Sequence, residues 1–260
     1  MNVDTKKFAI FIFGFVFILN IAPSVFSMRE AIPSSSPQKY CSTSIFIKTL
    51  YGTFEIDDHL VLELLNCSTM QRLKKVHQYG VRSYITGHGL QYTRYDHSVG
   101  VWALLKRFKA SRKEQIAGLL HDVSHTVFSH VGDFVFRKKE RKDAYQDDIH
   151  ENFLKQTPIP NILKLHGLEL ADVLNTEGRF KMLDQEYPDL CIDRLEYNLQ
   201  GGLLKGLLTK NDIEVILNDI VFKNGQWYFC SPEVAHKFAR VSIDLMVGEW
   251  GSPEYCLIYP

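Results

Sequence analysis

The sequence predicts a mainly α protein, a helical bundle with a small β-hairpin, on three observations. Apolar residues recur at helical spacing through most of the chain from about residue 45. Residues that start and stop helices bracket those runs. Two-residue alternation is rare, and Val221 to Phe229 folds it around Asn224-Gly225, the favoured pair for a type I′ turn. With 260 residues, 45% of them hydrophobic, one large domain with small appendages has ample material for a core. Thirty basic residues balance thirty acidic ones, so no bulk field points to nucleic acid as a partner.

Phe8 to Ala22 is an apolar run behind Lys6 and Lys7, and no charge intervenes between Lys7 and Arg29. A positive start, a short apolar stretch and small residues after it describe a secretory signal peptide. The run is slightly short for a spanning helix, so export with cleavage is preferred over anchoring. Residues 1–27 are thus expected to be a signal peptide or a membrane anchor, with residues 8–25 as the tether if retained. The expected location is exported or membrane-anchored. Ser34-Ser35-Ser36-Pro37 marks a linker over residues 28–44. A core over 45–202 and a C-terminal extension over 203–260, hairpin and helix packed on the core, complete the expected organisation.

Ile45 to Ile56 reads as extended with a bend at Gly52, and His59 to Leu65 as a short helix. Ser68 is expected to cap a helix through His77, stopped by Gly80. Val81 to Ile85 reads as a strand and Gly87-His88-Gly89 as a turn. Ser98 to Ala110 reads as an amphipathic helix, followed by helices over Arg112 to Asp122 and Phe128 to Lys139. Shorter helices are expected over His150 to Gln156, Pro160 to Leu165 and Leu168 to Asn175. Asp189 to Gln200 reads as a helix closed by Gly201-Gly202. Ser231-Pro232 opens the last one, running to about Glu249. The five cysteines have no CxxC spacing, which gives neither a disulfide framework nor a thiolate zinc site.

The chemistry concentrates in Gly118 to His130, where an apolar approach delivers His121, Asp122, His125 and His130. His121 and His125 are four apart, which on a helix stacks them on one face. A buried carboxylate at Asp122 needs a compensating partner. Upstream stands His97 and downstream Asp193, so the chain offers two imidazoles and two carboxylates, each placed by a helix. Such a set without thiolate suits iron, manganese, nickel, zinc or magnesium and leaves positions open for water and substrate. A divalent metal there acidifies bound water and neutralises charge on a phosphoryl oxygen, as phosphate-ester hydrolysis requires.

The strings "MQRLKKVHQYG", "TRYDHSVGV", "IAGLLHDVSHTVFSH", "HEN" and "IDRLEY" occur in this order between about Tyr51 and Tyr197. They resemble the HD-domain metal-dependent phosphohydrolase superfamily, and within it the deoxynucleoside triphosphate triphosphohydrolase (dGTPase-like) branch. The resemblance implies an HD-domain helical bundle, with His97, His121, Asp122 and Asp193 as metal ligands. It implies that His125 and His130 face the phosphates, that Asp133 hydrogen-bonds nearby, and that His150 and Glu151 form a catalytic pair. A carboxylate beside His150 would hold the ring's tautomer. Arg94 and Arg194 match phosphate-contacting cations, while Gln78 and Tyr197 fall near the sugar. The implied partner is a nucleotide substrate, and assembly into an oligomer is left open.

The chain also departs from the family's pattern. Ser124 and Thr126 stand where the family has glycines, Val127 where it has proline, and Gly201 where an aspartate would read a sugar hydroxyl. The expected reaction is hydrolysis of a (deoxy)nucleoside triphosphate to nucleoside and triphosphate. A phosphomonoesterase or phosphodiesterase on another nucleotide, or a non-catalytic nucleotide-binding module, are the alternatives.

Overall fold

The computed structural model describes residues 45–87, 91–128, 130, 136 and 145–251. The apolar N-terminal segment, its linker, Asp133 and most of the helix expected over Phe128 to Lys139 lie outside the described residues. Among those described, no helix is long and apolar enough to cross a membrane.

The described residues open with an antiparallel hairpin, β1 (Ile45–Thr49) and β2 (Gly52–Ile56), in which Ile45 faces Ile56 and Thr49 faces Gly52. Next come α1 (His59–Asn66), capped by the Asp58 carboxylate, and the short α2 (Ser68–Arg72). Then α3 (Val81–Thr86), α4 (Arg94–Arg107) and α5 (Arg112–Leu120) lead to the middle of the chain. After it stand α6 (Tyr145–Lys155), α7 (Ile159–Leu165) and α8 (Ile192–Leu204). The C-terminal part is α9 (Lys210–Asp219), a second antiparallel hairpin of β3 (Ile220–Lys223) and β4 (Gln226–Phe229), and α10 (Pro232–Leu245). A π-helical turn, Met246–Trp250, continues α10. Asn224 and Gly225 take positive φ of 52° and 78°, the type I′ geometry expected for the second hairpin.

The element that positions the site is α4. Every residue from His97 to Leu105 is buried, so the helix is enclosed on all sides and not amphipathic as its sequence suggested. It lies against α5 and α8, with β1 and the 3-10 turn after α2 also touching it. Val101, Leu104 and Leu105 of α4 share one core with Leu60 and Leu64 of α1, Leu119 of α5 and Leu195 and Leu199 of α8. The same core takes in Ile216 of α9 and Val241 and Leu245 of α10, which tie the last third of the chain to the helices of the site.

Four local expectations are corrected. The Ser68 helix gives way to a 3-10 turn at Leu73–Lys75 and ends before His77, and Ser68 does not cap it. Val81 to Ile85 is helical, because Gly80 at φ 55° turns the chain and the helix then buries Arg82 and Ser83 against the body of the protein. The β-branched composition loses to that tertiary contact. The helix after Ser111 stops at Leu120, one residue short of the His-Asp pair. Finally, α8 runs through Gly201 and Gly202. A Cβ at Gly202 would lie 2.8 Å from Leu208 and 2.9 Å from Val241, so this glycine allows close packing of α10 and does not end a helix.

Candidate metal centre and cleft

Three helix ends bring the site together. At the start of α4 the Thr93 hydroxyl accepts from the Asp96 amide at 3.3 Å, and the Asp96 carboxylate accepts from the Thr93 amide at 2.9 Å. This capping box fixes where the helix begins and places His97 one turn inside it. His121 and Asp122 follow the C-terminus of α5 in a tight turn, closed by Val123 N–H to Leu120 O at 3.1 Å and His125 N–H to Asp122 O at 3.1 Å. The expected one-face stacking of His121 and His125 on a helix is thereby replaced by a turn that aims them separately. Asp193 sits in the first turn of α8, where the helix dipole favours a carboxylate.

His97 Nε2 lies 2.9 Å from Asp193 Oδ1 and 3.2 Å from His121 Nε2, and His121 Nε2 lies 3.5 Å from the same Asp193 oxygen. Ligands at right angles around an ion with bonds near 2.0–2.1 Å sit about 3 Å apart, so these three atoms have the spacing of one coordination sphere. Both rings also have the matching tautomer constraint. The Nδ1 of His121 meets the Gly118 carbonyl at 2.8 Å and that of His97 meets the Glu196 carboxylate at 2.5 Å, so each Nδ1–H donates outward and leaves Nε2 for the centre. The donor set therefore fits a divalent metal.

Asp122 stands at the edge of this group. Its oxygens are 3.5 Å from His121 Nε2 and 3.7 Å from His97 Nε2, while Arg94 Nη1 takes one at 2.5 Å and His125 Nε2 the other at 3.2 Å.

The electrostatics follow from burial and opposite charge. Burial would push the Asp193 carboxyl up, but hydrogen bonds from His121 and His97 hold it well below the carboxylate range. Asp122 is likewise held down against burial by the charge of Arg94. Burial opposes a charged His97, yet Glu196 and Asp193 outweigh it and raise the ring to about 10. His125 and His150 go the other way. Burial, aided by Arg94 at His125 and by His121 at His150, pushes both down to about 4, so both rings are neutral at pH 7.

The centre lies on the floor of a cavity of about 1000 Å³. Arg94, His125, His130, His150, Glu151, Arg194, Gln78 and Tyr197 all line it, so the structure gathers these expected residues into one cleft. The ring centroids of His125 and His130 are 5.5 Å apart. Two expectations change in detail. Glu151 pairs with Lys155 at 2.6 Å, one helical turn on, and does not hold His150. The His150 ring is held instead by the Ser124 hydroxyl, 2.9 Å from Nδ1, and Gln146 donates to that hydroxyl and to the His121 carbonyl, both at 2.8 Å. Arg194 is engaged by loop carbonyls, giving 2.5 Å to Asp189 O and 2.7 Å to Gln185 O, so in this state its guanidinium braces the loop before α8.

Sequence reasoning missed Glu196, Tyr92 and Trp250. Trp250 lines the cleft and meets Tyr197 edge-on at 5.1 Å between ring centroids. It is carried there by the π turn, whose buried Glu249 pairs with Arg82 of α3 and with Lys205 at the end of α8. The only sequence signal for Glu196 was its place three residues after Asp193, which puts both on one face of α8.

Comparison with known proteins agrees with this geometry. The HD domain family matches residues 94–183. An uncharacterized protein of Bacillus subtilis, YdhJ, is 37% identical over 192 residues, 74% of this chain and 58% of its own length. The metal-dependent phosphohydrolase cns2 of Cordyceps militaris is 34% identical over 178 residues, 68% of this chain and 50% of its own. The deoxynucleoside triphosphate triphosphohydrolase SAMHD1 of Danio rerio is 27% identical over 162 residues, covering 54% of this chain and 25% of that protein. The chain thus spans only about half the length of the first two relatives. Two crystal structures share the fold at 20% identity. One is a hypothetical protein from Aquifex aeolicus (TM-score 0.64, 82% of this chain and 62% of that one). The other is a phosphohydrolase from Bacteroides thetaiotaomicron (TM-score 0.60, 78% and 54%). Motif order, converging ligands and the family match over residues 94–183 identify an HD domain in this chain, similar in sequence to a metal-dependent phosphohydrolase.

Proposed function

We propose that the protein is a metal-dependent phosphohydrolase that removes triphosphate from (deoxy)nucleoside triphosphates. The observation that carries the reading is the approach of His97 Nε2, His121 Nε2 and Asp193 Oδ1 to within 2.9 to 3.5 Å of one another on the floor of a cleft lined by arginines and further histidines. His97, His121 and Asp193 would hold the ion, with Asp122 beside them. A divalent ion there supplies an acidified water and neutralises charge at the phosphorus under attack.

The remaining residues orient the substrate and move the proton. Arg94, anchored on Asp122, presents positive charge to the phosphates, and Arg194 does so once its loop contacts exchange for phosphate oxygens. Protonation of the leaving oxygen falls to His130 or His150. His150 is neutral in the substrate-free cleft, and entry of the phosphate charge raises its pKa toward the range where an imidazole donates. The aromatic end of the cleft, formed by Tyr197 and Trp250 with Gln78 nearby, would take the nucleoside. At Gly201, where the family resemblance implies an aspartate, a Cβ would sit 3.1 Å from the Tyr79 hydroxyl, so a larger side chain there would crowd that phenol. This substitution supports loose discrimination between ribose and deoxyribose. The apolar segment over residues 8–25 supports an exported or tethered location.

The test is incubation of the full chain with each NTP and dNTP plus Mn²⁺, Fe²⁺ or Mg²⁺, with products separated by ion exchange. Release of tripolyphosphate is expected. Orthophosphate would instead assign a phosphomonoesterase, and bound metal without turnover of any phosphate ester would assign a nucleotide-binding module.

A further inference from the structure

On the side of His97 away from the cleft lies a carboxylate that the ligand set does not use. Glu196, on α8 one turn beyond Asp193, is 1% exposed. Its Oε2 stands 2.5 Å from His97 Nδ1 and also accepts from the Tyr92 hydroxyl, while its Oε1 accepts from the Tyr51 hydroxyl at 2.8 Å. The carboxylate thus receives one imidazole N–H and two phenolic O–H groups, which compensate an ionised group at this depth. Tyr51 comes from the turn of the first hairpin and Tyr92 from the residues before α4, so two separate segments converge on Glu196. Gly100 of α4 keeps the space clear, because a Cβ there would overlap Glu196 Oε1.

We propose that Glu196 is the positioning residue of the metal centre: through His97 Nδ1 it fixes the tautomer and the orientation of the ring, and Tyr51 and Tyr92 hold it in place for that task. The proposal rests on reading His97, His121 and Asp193 as metal ligands. A ring free to rotate or to change tautomer would present an N–H to the ion for part of the time, and affinity would fall by that fraction. Outer carboxylate partners of ligating histidines are typically worth about 10- to 100-fold in metal affinity.

The experiment compares the full-length wild type with Glu196→Gln and Tyr92→Phe. Mn²⁺ affinity is measured by calorimetry, and imidazole ¹⁵N shifts are recorded on the Zn²⁺-loaded proteins. The expected result is a loss of about 10- to 100-fold in Mn²⁺ affinity for Glu196→Gln and a smaller loss for Tyr92→Phe. The Zn²⁺-loaded wild type is expected to show a protonated Nδ1 on His97, assigned by its disappearance in His97→Gln. A folded Glu196→Gln protein with Mn²⁺ affinity within twofold of wild type overturns the proposal. So does a wild-type His97 whose Nδ1 carries no proton when Zn²⁺ is bound, a measurement that stands even if Glu196→Gln does not fold. A wild type that takes up neither Mn²⁺ nor Zn²⁺ would instead overturn the metal-centre reading.

Discussion

Replacing Gly100 by alanine separates two opposed effects in the middle of α4. Alanine is preferred over glycine in a helix interior by about 1 kcal/mol, so local propensity alone predicts a more stable protein. Packing predicts the reverse. The added Cβ would stand 2.9 Å from Cδ and 3.0 Å from Cγ of Glu196 and would overlap its Oε1. Overpacking of this kind costs about 1–3 kcal/mol. Displacing the carboxylate also weakens its bonds to His97, Tyr51 and Tyr92, and hydrogen bonds to charged groups are worth about 1.5–3 kcal/mol each. With partial relaxation the net expectation is a loss of about 2–4 kcal/mol, which lowers the urea midpoint by about 1–2 M at an ordinary slope. Urea unfolding followed by circular dichroism measures it. An unchanged or raised midpoint for Gly100→Ala would refute the reading that Gly100 keeps room for this carboxylate.

Two further outcomes are expected. Glu249→Gln leaves the buried Arg82 guanidinium without its carboxylate, and because Arg82 is only 5% exposed in its side chain the loss should be about 3 kcal/mol. Guanidinium titration would show it, and a red shift in Trp250 emission should accompany it; a blue-shifted or unchanged spectrum would mean that Glu249 does not hold the π turn. Asp212 is held down to about 2 by hydrogen bonds from Lys237 and from Thr209. Its contribution is therefore present above the unfolded carboxyl value of about 3.9 and disappears as pH falls toward 2. Because the pair faces solvent, Asp212→Asn should cost no more than about 1 kcal/mol at pH 7, and the two proteins should converge in thermal melts near pH 2. A gap that persists there would argue against this origin.

Much of the fold was legible in the sequence, because helix periodicity and capping residues are local signals. The Asn224-Gly225 hairpin and the helix after Ser231 were readable from two residues each. The failures occur where distant contacts decide. Val81 to Ile85 has strand composition, yet Arg82 has its partner Glu249 at the far end of the chain. Gly201 and Gly202 look like a stop signal, but they let α10 lie close to α8, and nothing near them in the sequence announces that neighbour. In the site, Tyr92 and Trp250 escaped notice, while His97, His121, Asp122 and Asp193 could be named from motif order and the family it resembles. Their supports could not. Ser124 looked like a mere replacement of glycine, whereas its hydroxyl holds His150, and Glu151, adjacent in sequence, points along its helix to Lys155.

The reach of the C-terminal π turn has a practical side. The stretch that matches the HD domain ends at Leu183, ahead of both Asp193 and the tryptophan that walls the cleft. Anyone trimming the polypeptide to that matched stretch would discard one corner of the candidate metal centre. A cut after α8 would keep the corner but remove the indole that faces Tyr197, and with it the carboxylate clamping Arg82 and Lys205. The smallest unit worth expressing therefore runs through residue 250, well past the end of the HD-domain match.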